Sequence, residues 1–128
     1  MVGALRPRPD RRRGVRCTAW RFQRLVSRAF ARLPSEVQAA LDNVAVTIED
    51  RPPKEVQRDG GALGFYQGTP VGERGTGYNL VLPDKVTIYR LPLLAACHTD
   101  AELREEITLT LLHEIGHHFG LSDEELPF

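Results

Sequence analysis

The sequence is short of most features that would classify it at sight. Its 128 residues include two cysteines, Cys17 and Cys97. Two are too few for a disulfide scaffold, and free thiols in a cytoplasmic protein are the expectation. Long hydrophobic runs are missing as well. The longest apolar stretch without proline or charge covers residues 93–97, against the roughly 20 residues that a spanning helix requires. No apolar segment follows the basic residues near the start, so no secretory signal peptide is expected. No internal repeat is visible, and the net charge is zero. With 7% aromatic and 27% charged residues, the composition nevertheless suits an ordinary folded domain rather than a disordered chain. The length allows one domain with one core and is too short for two.

The zero net charge conceals a division. Residues 1–34 hold ten arginines against Asp10 alone, a balance of +9, and residues 35–128 hold seven basic and sixteen acidic residues, a balance of −9. Six of the arginines fall between Arg6 and Arg16, around Pro7 and Pro9. A segment with this pattern has no apolar face to bury, so residues 1–17 are expected to be a flexible, solvated arm and residues 18–128 the domain.

Beyond the arm the periodicities are clear. Phe22, Leu25, Val26, Ala29, Phe30 and Leu33 share one face of a helix, and Arg21, Arg24, Arg28 and Arg32 take the other. Pro34 ends it, and Ser35 is the expected cap of a short second helix with Val37, Ala40 and Leu41 inward. The period then falls to two: Val44, Val46 and Ile48 alternate with Ala45 and Thr47, as in a half-buried strand. A short strand is expected over residues 63–66 in a glycine-rich stretch, and a firmer one over 85–90. Residues 91–97 suit a short helix after Pro92. The last helix starts at Thr99, which with Glu102 matches a capping box, and its acids at 100, 102, 105 and 106 suit the positive end of the helix dipole. Leu103, Ile107, Leu111, Ile115 and Phe119 recur every four residues along it, and Gly120 stops it.

That helix ends in His113-Glu114-Ile115-Gly116-His117-His118-Phe119-Gly120-Leu121-Ser122-Asp123, an HExxH motif extended to HExxHxxGxxD. Four residues turn a helix by about 400°, which sets His113 and His117 one above the other about 6 Å apart. Two imidazoles so placed can converge on one Zn²⁺. Glu114, about 100° further round, is the candidate general base that takes a proton from the attacking water. Two histidines do not hold a catalytic zinc, so a third ligand is needed. Gly120 permits a sharp turn that returns Asp123 toward the metal; Glu124 and Glu125 compete for the role. His118 points about 100° away from His117 and is expected at the surface or behind the ligands. Tyr66, Tyr78 and Tyr89 are expected to be packing residues.

In these features the chain resembles the small bacterial minimal zincins. The resemblance runs from about Phe22 to Leu126. It rests on Asn43-Val44-Ala45-Val46 leading into Glu49-Asp50, on Leu63-Gly64-Phe65-Tyr66-Gln67-Gly68-Thr69-Pro70, on Leu82-Pro83-Asp84-Lys85-Val86-Thr87-Ile88-Tyr89-Arg90, and on the motif itself. It implies a compact α+β domain, with a small sheet packed against helices and a C-terminal active-site helix. It further implies His113, His117 and Asp123 as zinc ligands and Glu114 as catalytic base. The motif is also similar to that of metzincins, but Met1 is the sole methionine, so their Met-turn is absent.

The function expected from the sequence is therefore zinc-dependent peptide hydrolysis, with an extended peptide or protein substrate held by main-chain pairing along the strand at 85–90. A non-catalytic zinc-binding or interaction module is the alternative. The arginines could neutralise phosphates, but the −9 balance of the remaining chain and the lack of aromatics within the arm speak against nucleic acid as a partner.

Overall fold

The computed structural model describes residues 14–56, 62–68 and 84–120. The fold is α+β. Among the described residues seven elements follow one another: α1 (Ala19–Ala31), α2 (Ser35–Ala40), β1 (Val44–Glu49), β2 (Gly64–Gln67), β3 (Asp84–Tyr89), α3 (Arg90–Ala96) and α4 (Asp100–His118).

Thr18 caps α1, its side chain accepting from the Arg21 amide at 3.2 Å. Phe22, Leu25, Val26 and Ala29 are buried, which is the expected apolar face. Arg24, Arg28 and Arg32 are exposed, while Arg21 forks onto Asp100 at 2.7 and 3.4 Å and so ties α1 to the start of α4. The second helix begins differently from expectation. Pro34 is its N-cap and Ser35 lies inside the first turn, with no side-chain cap bond. Gln38 instead secures the junction, donating to the carbonyls of Ala31 and Leu33. Leu41 is buried and Val37 half-buried, but Ala40 is exposed.

The sheet has the order β1-β3-β2. β1 runs parallel to β3 in the register Val44↔Asp84 to Glu49↔Tyr89, and β2 runs antiparallel to it, from Gly64↔Ile88 to Gln67↔Lys85. The strand expected to offer an open edge to a peptide is therefore the central one, paired on both sides. Its side chains agree: Val86, Thr87, Ile88 and Tyr89 are all buried, as a strand covered on both faces requires. Residues 85–90 cannot serve as the peptide-binding edge.

Pro92 lies in the first turn of α3, where its missing N–H would have no helical partner. Residues 14–17, grouped with the arm by composition, pack on this helix. The Val15 amide lies 3.1 Å from the Leu94 carbonyl and 3.0 Å from that of Cys97. Arg90 donates to the Cys17 carbonyl at 2.8 Å. The side chain of Cys17 belongs to the core. Both cysteines are buried, and neither is in a disulfide.

Helix α4 starts as expected at Thr99, whose hydroxyl accepts from the Glu102 amide at 3.1 Å. The Glu102 carboxylate reaches one residue beyond the expected partner and accepts from the His98 amide. Leu103, Ile107, Leu111 and Ile115 form the core row. Phe119 does not extend it: the helix ends at His118, and Phe119, its C-cap, is 40% exposed. Gly120 follows at φ +86°, a conformation that glycine adopts without a Cβ clash.

Candidate metal centre

Most helices on a small domain keep one face in water. The second half of α4 does not: Leu111, His113, Glu114, Ile115, Gly116, His117 and His118 are all buried. Helix α4 packs against β2, β3 and α1. Gly64 makes the approach of β2 possible, because a Cβ there would lie 2.7 Å from Thr110 Cγ2 and 3.3 Å from Glu114 Cγ.

The motif's first three chemical groups are brought together. One ligand atom from each of His113, Glu114 and His117 lies within 4.8 Å of the others. The two imidazoles stand nearly perpendicular, with centroids 4.9 Å apart, as expected from neighbours one turn apart. His113 and His117 are 5% and 1% exposed and Glu114 is fully buried. Nitrogen and carboxylate donors gathered in the interior suit a divalent metal such as zinc, so the residues present fit the ion that the motif implies. Asp123, Glu124 and Glu125 lie outside the described residues, as does Tyr78.

Of the two places expected for His118, at the surface or behind the ligands, burial leaves the second. Its Nδ1 lies 2.5 Å from Asp84 Oδ2, and the Tyr66 hydroxyl donates to the same carboxylate oxygen. Sequence reasoning gave Asp84 no role of its own, only a place in a stretch that carries the resemblance. An acid preceding an apolar strand reads as a surface residue, and its two partners are 18 and 34 residues away. Tyr89 is a packing residue as expected. Burial foremost, then the carboxylates of Glu49, Glu114 and Glu55, push its phenol up to about 12. Cys17, by contrast, is no part of the cluster.

The family model of the zincin-like metallopeptidases matches residues 41–127. The chain belongs to the zincin-like metallopeptidase family. A solved structure, that of a conserved hypothetical protein from Thermo thermophilus, is similar at 25% identity with a TM-score of 0.57, covering 80% of this chain and 94% of the other. No curated protein matches. The zincin match spans the stretch from the end of α2 through the sheet to the motif, so it covers β1, β2, β3 and all of α4. A groove of about 760 Å³, lined by Val26, Phe30, Val44, Val46 and Ile48 among others, lies between α1 and β1. It shares no residue with the zincin cluster.

Proposed function

We propose that the protein is a zinc-dependent peptidase, with His113 and His117 as ligands, Asp123 as the third, and Glu114 as general base. The observation that carries this reading is the buried gathering of His113, Glu114 and His117 on one turn of α4 in a member of the zincin-like family. A zinc ion held there would supply carbonyl polarisation and a more acidic water. Glu114 would accept the proton of the attacking water and return it to the leaving amine. Its burial excludes bulk water from that transfer, and such exclusion strengthens every charge interaction in the site.

The peptide is placed along β2 rather than β3. β2 is an edge strand of the described sheet, and Gly64 sets its first residue directly against the Glu114 side chain. Main-chain pairing there would lay an extended substrate beside the base. Cytoplasmic residence belongs to the same proposal and rests on two buried cysteines that keep their thiols.

Glu114→Gln is the deciding experiment. It keeps the volume of the side chain and removes the base. Zinc content should stay near one per chain, and hydrolysis of unstructured casein should fall by at least ~10²-fold. His113→Ala and His117→Ala should lose the metal, and Asp123→Ala should lose metal and activity together. Zinc lost with Glu124→Ala or Glu125→Ala, and kept with Asp123→Ala, would move the third ligand by one or two positions. Wild-type protein that holds zinc and hydrolyses nothing at any pH would favour a non-catalytic zinc module.

A further inference from the structure

One of the two candidate histidine ligands, His117, stands in the final turn of α4. His117 and His118 are the last two residues of the helix; the Phe119 and Gly120 amides close that turn onto the carbonyls of Ile115, Gly116 and His117, and helix ends fray. His113 is held one turn deeper. The spacing of the two candidate ligands therefore depends on that last turn staying closed.

Helix α4 carries two stacked pairs there. His113 and His117 form one, and Glu114 and His118 the other, about 100° round the helix. His118 takes its partner from the sheet: its Nδ1 lies 2.5 Å from Asp84 Oδ2 at the start of β3. The Tyr66 hydroxyl on β2 donates to the same oxygen, and the Tyr66 ring meets the His118 ring edge to face at 5.9 Å. Tyr66, Asp84 and His118 are 0%, 1% and 4% exposed. The chain leaves room for the carboxylate at Gly68, where a Cβ would lie 2.4 Å from Asp84 Oδ1 and where φ is +153°.

A carboxylate in the interior is costly to desolvate, and well-packed apolar side chains of similar volume often serve stability as well or better. Directional hydrogen bonds supply what apolar contact does not, a fixed orientation. We infer that Tyr66, Asp84 and His118 are positioning residues for the metal centre: a clamp that pins the last turn of α4 to two paired strands and holds His117 where the ion requires it. The inference rests on the metal-site reading above. It gives the buried carboxylate a role in metal affinity beyond fold stability.

The test uses the full-length protein and the variants Asp84→Asn, His118→Phe and Tyr66→Phe. Three quantities are read: the zinc dissociation constant by competition with a chromophoric chelator, the visible spectrum of the Co²⁺-substituted protein, and the Tm of the metal-free protein. Affinities are measured well below the lowest Tm, where every variant is folded. Asp84→Asn and His118→Phe should weaken zinc by about 10–100-fold, the range seen when groups supporting metal ligands are removed, and should change the Co²⁺ absorption. Tyr66→Phe, which deletes one hydroxyl, should weaken it less. A lower metal-free Tm with zinc affinity and Co²⁺ spectrum unchanged would make the cluster purely structural and overturn the inference. Should the first two variants fail to fold, Tyr66→Phe and Gly68→Ala decide it: weaker zinc supports the clamp and unchanged zinc overturns it. Wild-type protein without zinc affinity would overturn the metal-site reading and the clamp with it. Zinc bound equally well by wild type and variants overturns the clamp alone.

Discussion

Gly64→Ala probes the closest contact between the sheet and the motif helix. The added Cβ would stand 2.7 Å from Thr110 Cγ2, 3.1 Å from the Thr87 carbonyl oxygen and 3.3 Å from Glu114 Cγ. None of these can yield freely. Thr87 is backbone in the central strand, paired with both neighbours, and Thr110 and Glu114 are fully buried. Strand and helix must therefore part by several tenths of an ångström. Overpacking of this kind costs about 1–3 kcal/mol. Replacing a strand glycine recovers up to ~1 kcal/mol through the unfolded chain, so steric repulsion wins by about 1–2 kcal/mol. For a domain of this size that is a Tm lower by roughly 3–10 °C. Thr110→Ser removes the methyl in the shortest contact, and alone it should cost about 1 kcal/mol for a lost buried methyl. If the collision is real, the double variant should be more stable than the sum of the singles predicts, by at least ~1 kcal/mol. Guanidinium unfolding of the four proteins measures this. Wild-type stability in Gly64→Ala, or strict additivity in the cycle, would refute the argument that Gly64 is there to let β2 reach α4.

Two further outcomes are expected. Removing residues 1–13 should leave the Tm unchanged. Extending the cut through residue 17 loses the Val15 amide bonding and the Arg90–Cys17 bond, at about 1 kcal/mol for each, so calorimetry should show a fall of several degrees; equal Tm values for the two truncations would show that residues 14–17 hold nothing. The Tyr89 phenol, at about 12 in the fold against 10.0 as its ordinary value, keeps its proton in the folded state while the unfolded chain releases it. That contribution is whole below pH 10 and is lost as pH rises toward 12. Urea midpoints should therefore fall more steeply above pH 10 in the wild type than in Tyr89→Phe, and parallel slopes would contradict the burial argument.

Local patterns account for what could be read in advance. The face of α1, the alternation in β1, the cap at Thr99 and the convergence of His113 and His117 all follow from spacings of two to four residues, which a helix or strand converts directly into geometry. Ser35, Ala40 and Phe119 were misplaced because each lies at a helix boundary, where a shift of one residue changes a cap into a first turn or a core position into an exposed one.

The sequence by itself determined most of the helices and strands and the His-Glu-His group on the last helix, because that information lies within single elements, and the family resemblance implied the α+β class. The tertiary structure decided the order of the described sheet, and with it that residues 84–89 form its centre and β2 an edge beside Glu114. It also decided that Asp84, Tyr66 and His118 meet in the interior, and that residues 14–17 belong with α3. These are contacts between residues far apart in the chain. A strand's alternation shows that one face is buried but not which strand lies next to it, and an isolated acid carries no mark of the histidine it will meet. Such choices are made only when the elements pack, since the burial that makes an unpaired carboxylate costly arises from the packing itself.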